Sequence, residues 1–146
     1  MRDLQHPLPW NRNKGVGVGV DFGLVPRYPG GYHKGIDMHA PVGEPVLAAA
    51  DGAVTYADDT GGDYGIKVVI DHGDGLTTTY GHLDELWVQV GDDVEVGDEI
   101  GACGNTGNSR GPHLHFEVAE GGELQDPMEW IKPRPSFYGG AWLRSS

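Results

Sequence analysis

Glycine and proline punctuate this chain so densely that a long helix would have to cross them repeatedly. The 25 glycines and 10 prolines occupy roughly a quarter of the 146 positions. That argues against a helical bundle or a coiled coil and favours many short strands joined by tight turns. Val16, Val18 and Val20 alternate with glycines, a period-two signal for a strand with one nearly bare face. Further strands are predicted at 35–38, 45–50, 53–57, 66–71, 76–80, 87–90, 99–102 and 113–118. Turn chemistry separates them, for example Asp51-Gly52 and His72-Gly73-Asp74-Gly75. The expected fold is all-β: antiparallel sheets packed around a core, with little helix. A short helical turn is expected around 84–86 or 127–131. Residues 1–14 read as an extended N-terminal segment, 15–131 as one domain and 132–146 as a C-terminal tail.

Lys and Arg number 10 against 22 Asp and Glu, for a net charge of −12. An excess of acid this large argues against nucleic acid as a partner and against a basic membrane-surface module. No apolar run approaches the ~18–20 residues that span a bilayer, so membrane insertion is not expected. A lone Cys103 leaves stability to the core and to any bound metal. The opening Met1-Arg2-Asp3-Leu4-Gln5-His6-Pro7 lacks the layout of a secretory signal. A mature or excised domain, or one delivered by another route, is expected.

The seven histidines carry most of the chemical information. In His33-Lys34-Gly35-Ile36-Asp37 the outer residues are an even number apart, so an extended segment would project both from one face. His113-Leu114-His115-Phe116-Glu117 puts two imidazoles and a carboxylate on one face and two apolar side chains on the other. Tyr80-Gly81-His82-Leu83 would pair a phenol with an imidazole in the same way. Burying so many titratable groups without partners would be costly, whereas imidazole and carboxylate together suit Zn²⁺. A catalytic site uses three protein ligands, and His33, Asp37, His82, His113 and His115 exceed that need. The surplus can serve as general base or as donor to an oxyanion. Spacing alone leaves the ligand set open, with joint ligation by His113 and His115 a fair alternative. His6, His39 and His72 read as ordinary structural histidines. Gly35, Gly107 and Gly111 are expected to permit close backbone approach and leave an open groove over the main sheet at the metal site.

These motifs closely resemble those of the lysostaphin-type (LytM-like) zinc endopeptidases, metallopeptidase family twenty-three. The resemblance rests on His33-Lys34-Gly35-Ile36-Asp37, on Tyr80-Gly81-His82-Leu83, and on Gly107-Asn108-Ser109-Arg110-Gly111-Pro112 running into the H-x-H strand. It runs from about residue 22 to 130 and includes PVGEPVLAAADGAVTYA and VGDDVEVGDEIGACGNTG. It implies one Zn²⁺ per chain held by His33, Asp37 and His115, with His82 and His113 as catalytic imidazoles. It also implies an oxyanion tyrosine ahead of the first His, for which Tyr28 is the first candidate and Tyr32 the second. Glu117 would orient His115, and Asp126-Pro127 would form a closing turn.

The implied activity is hydrolysis of cross-links or stem peptides of bacterial peptidoglycan, outside the cell at the wall. A non-catalytic wall-binding or amidase-regulating module of the same fold is the alternative. The stretch from Val90 to Ile100 also resembles a biotinyl or lipoyl hairpin, but neither Lys34 nor Lys67 has the setting of a modified lysine. An anionic enzyme is repelled by an anionic wall over about a Debye length, ~8 Å. A wall-targeting or virion-tail carrier is therefore expected as a partner.

Overall fold

The computed structural model describes residues 4–9, 18–20, 23–24, 32–109, 111–131, 136–138 and 141–143, with side chains described for 4–9, 34–109 and 111–131. The strands in chain order are β1 (Val18–Val20), β2 (Gly23–Leu24), β3 (Tyr32–His33), β4 (Ile36–His39), β5 (Pro45–Leu47), β6 (Gly52–Asp59) and β7 (Ile66–Gly73). They continue as β8 (Leu76–Leu86), β9 (Asp93–Val94), β10 (Glu99–Cys103), β11 (His113–Glu120), β12 (Glu123–Gln125), β13 (Ser136–Tyr138) and β14 (Ala141–Leu143). The main sheet runs β1-β4-β11-β8-β7-β6-β9, with β10 joined to β8 and β5, and β12 joined to β11. Every ladder between these strands is antiparallel. The all-β antiparallel expectation holds, and the one described helix is a 3₁₀ turn at Pro127–Glu129. It is capped by Asp126, whose side chain accepts from the Met128 amide.

Alternation along the strands divides the sheet into two faces. Leu114, Phe116 and Val118 of β11 and Val68 and Ile70 of β7 are wholly buried. They pack with Ile36, Met38, Val46, Ala48, Ala49 and Ile100 in one cluster. Each large aliphatic or aromatic side chain so removed from water contributes roughly 1.5–3 kcal/mol. Tyr80 joins this core, its ring 5.4 Å from that of Phe116. Its hydroxyl accepts from the Ala49 amide and shares a hydrogen bond with Thr78.

The lead-in segment is part of this packing. Leu4 and Leu8 are buried in the core cluster. The Leu4 amide bonds to Trp130 O, the Gln5 amide to Ala49 O, and the Leu47 amide to Pro7 O. Leu4 also bridges Ile131, so both ends of the core are tied together.

Four local expectations need correction. Residues 84–86 form the end of β8 rather than a helical turn, because they pair with β10. Residues 87–90 are not a strand, since β8 ends at Leu86 and the chain turns toward β9. Tyr80 and His82 do not share a face: His82 has φ 62°, and this left-handed residue resets the alternation. The segment from His33 to Asp37 is not one extended strand. It bends at Lys34 and Gly35 between β3 and β4. At this bend the chain packs too closely for a side chain, since a Cβ on Gly35 would lie 2.2 Å from Phe116 O. Residues 132–146, read only as a tail, include the β13–β14 hairpin.

Candidate active site

The site is assembled on the sheet face opposite the core, where β4, β11 and β8 lie side by side. In register, His115 stands between Asp37 on β4 and Gly81 on β8. Asp37 Oδ1 lies 2.8 Å from His115 Nδ1 and 3.6 Å from His113 Nε2. On the far edge of its ring, His115 Nε2 is 2.7 Å from Glu117 Oε2. The His82 ring centroid is 4.6 Å from that of His113 and 6.0 Å from that of His115. Asp37, His82, His113 and His115 therefore converge. The His33 backbone sits in β3, paired with Gly23, but its side chain lies outside the described residues, as do all of Tyr28 and the side chain of Tyr32. Among the described residues, no three His, Cys, Asp or Glu side chains make up a metal-binding group.

A bulge in β8 aims His82. Ile66 pairs with Leu83 and Val68 with Tyr80, so Gly81 and His82 together oppose the single Lys67 of β7. The His82 amide bonds to Tyr64 O at 2.7 Å, and its Nδ1 donates to Thr106 O at 2.6 Å. A carbonyl only accepts, so Nδ1 carries the proton and Nε2 is left as the acceptor. His113 is held the same way, with Nδ1 donating to Gly111 O at 2.7 Å. Two backbone carbonyls thus impose one tautomer on both imidazoles. Burial holds His82 below the ordinary histidine range, outweighing the opposing pull of the Thr106 carbonyl. His115 is different: burial pulls it down, but Asp37 and Glu117 outweigh burial and push it up to about 9.

The donor arrangement fits a divalent cation. If His115 donates through Nε2 to Glu117, its Nδ1 lone pair faces an Asp37 oxygen that also offers only lone pairs. Two acceptors converging in this way need a proton or a cation between them, and the nitrogen–oxygen set suits Zn²⁺.

Two contributors escaped sequence reasoning. Tyr64 donates a short hydrogen bond to Glu117 Oε2, and its ring lies 5.6 Å from that of His115. Thr106 supplies the His82 carbonyl and also ties two strands together. Its Oγ1 donates to Leu83 O and accepts from the Ile66 amide. Loops 61–65 and 104–109 meet here so tightly that a Cβ on Gly107 (φ +74°) would lie 2.4 Å from Gly65 N. Around Gly111, by contrast, a Cβ would meet open space. Of the histidines read as structural, His72 joins Asp51 O to Thr78 Oγ1, His6 accepts from the Leu8 amide, and His39 is exposed on β4.

Comparison with known proteins places this constellation. The family described as Peptidase family M23 matches residues 31–127, which contain all of it. The chain belongs to peptidase family M23. The DD-carboxypeptidase/endopeptidase Mpg of Neisseria meningitidis is 44% identical to this M23 chain over 105 residues, which cover 72% of the chain and 24% of that protein. The M23 chain thus spans about a quarter of the length of that curated relative. Among solved structures, a zinc-containing peptidase from Vibrio cholerae superimposes with a TM-score of 0.78 at 31% identity, covering 87% of this chain and 40% of that one. The catalytic domain of lysostaphin from Staphylococcus simulans does so with a TM-score of 0.72 at 34% identity, covering 78% and 90%. The antiparallel M23 architecture is shared with both.

Proposed function

We propose that this M23 chain is a zinc-dependent endopeptidase hydrolysing peptide cross-links or stem peptides of bacterial peptidoglycan. The observation that carries the reading is the pair of imidazoles, His82 and His113, each locked by a carbonyl at Nδ1 beside the Asp37–His115 contact. His33, Asp37 and His115 would hold the ion, and Tyr28, with Tyr32 next, would assist at the oxyanion. When bound, zinc supplies Lewis acidity and brings the ionisation of water from a pKa of 15.7 to about 7. Held neutral by burial, His82 presents Nε2 to take a proton from the attacking water. His113 presents the same nitrogen on the Asp37 side of the site, where a protonated ring can donate to the developing oxyanion. The proton taken up is returned to the leaving amine, so the pair ends as it began. Glu117, fixed by Tyr64, holds the His115 ring in one orientation.

Gly81, between His115 and Lys67 in the ladders, leaves room for the Tyr64 ring to lie against the site, while at Gly111 a Cβ would meet open space beside the H-x-H strand. This reading places the protein at the cell wall. Its acidity, unfavourable at an anionic polymer, makes delivery by a wall-targeting or virion carrier part of the same proposal.

Metal content and wall lysis of two variants test it. His115→Ala is expected to lose both zinc and lysis, whereas His113→Ala keeps zinc and loses lysis. Loss of zinc from His113→Ala would overturn the ligand assignment. A zinc-free wild type that still binds walls would favour the non-catalytic alternative.

A further inference from the structure

Lys67 is placed where neither the metal site nor the core requires a cation. It sits on β7 directly across the β8 bulge from Gly81 and His82. Its ammonium lies 4.6 Å from the Tyr64 ring centroid and 4.9 Å from that of Tyr56. Tyr64 in turn lies against His115 in a tilted contact, its ring 5.6 Å from the imidazole, so one aromatic ring separates the amine from the site. Lys34 and Lys67 are the only Lys or Arg residues whose side chains are described. Among the described residues no carboxylate forms an ion pair with Lys67, although Asp58 stands opposite it in the β6–β7 ladder.

Two aromatic faces hold an ammonium in place without neutralising it, because the attraction is to the ring quadrupole. The charge therefore remains available to an anion, and a partly buried site makes that pairing stronger than one in open water. In a chain carrying a net charge of −12, a positioned cation beside the site is, among the described side chains, a local feature that would attract a negatively charged group. The Tyr64 centroid is 4.6 Å from the ammonium and 5.6 Å from the His115 ring, so the amine and that ring lie within about three residues of extended peptide of one another, at ~3.3 Å each.

We propose that Lys67, held between Tyr56 and Tyr64, is a specificity residue that binds a free carboxylate of the substrate peptide within about three residues of the scissile bond. This deepens the peptidase reading and rests on it. It selects acidic stem-type peptides over oligoglycine bridges, which carry no carboxylate along their length.

The test uses the zinc-loaded chain and two synthetic peptides that differ only in one carboxylate or carboxamide at that distance. The wild type should favour the carboxylate peptide in kcat/KM by about tenfold, the worth of one charge-assisted contact. Lys67→Met should abolish that preference by slowing only the carboxylate peptide, and Lys67→Arg should keep it. An equal loss on both peptides, or no change on either, would overturn the proposal. A wild type that cuts neither peptide would refute the peptidase reading instead. Calorimetric binding of the same two peptides would then still decide the role of Lys67, equal affinities refuting it.

Discussion

Replacing Thr106 with Val isolates what one hydroxyl does for the site. The shape is kept, but Oγ1 is lost, and with it the 3.1 Å bond from the Ile66 amide and the 2.6 Å bond to Leu83 O. Each neutral hydrogen bond is worth about 1 kcal/mol net, and more where its partner is left dry. Thr106 is partly exposed, so water recovers part of the loss, and about 2 kcal/mol is expected. At a urea dependence of roughly 2 kcal/mol/M, the unfolding midpoint should fall by about 1 M. The same residue's carbonyl holds His82 Nδ1 at 2.6 Å, so a shifted loop also misplaces the imidazole. A drop in kcat of about tenfold to a hundredfold should accompany the stability loss. Thr106→Ser keeps the hydroxyl and should behave as wild type in both assays. A Thr106→Val protein with an unchanged midpoint and unchanged kcat would refute the argument, as would a Ser variant just as damaged.

Two further outcomes follow from other contacts. Glu117→Gln preserves the shape that meets Tyr64 and His115 but removes the charge, and zinc affinity measured by chelator competition should weaken by about 10- to 100-fold. An unchanged affinity would remove Glu117 from the site. At the core, burial raises Tyr80 from 10.0 to about 12 and Cys103 from 9.0 to about 11. The unfolded chain loses these protons first, so their contribution to stability is complete below about pH 9 and lost progressively up to about pH 12. Urea midpoints across that window should fall with rising pH, and Tyr80→Phe should flatten the part above about pH 10. A wild-type midpoint flat across the window would contradict the burial of both groups.

The amino-acid sequence by itself determined the class of fold and the family. Glycine and proline density excludes long helices, and the alternation in β7 and β11 specifies which side chains enter the core. H-x-H works as a sequence signal because residues two apart on a strand share a face whatever the strand packs against. Local periodicity ends where the backbone departs from it. The left-handed conformation of His82 arises from a bulge that exists only because β8 pairs with β7, and no pattern in Tyr80-Gly81-His82-Leu83 announces it. The close approach of Phe116 O, from another strand, to Gly35 is likewise unannounced by the residues around it. Tyr64 and Glu117 are 53 residues apart, and Thr106 and His82 are 24 apart. Such pairs carry no mark in their own neighbourhoods, because what selects them is the docking of two loops against the sheet. Tertiary structure alone decided which nitrogen each imidazole offers and which cation stands beside it, since both depend on partners distant in sequence.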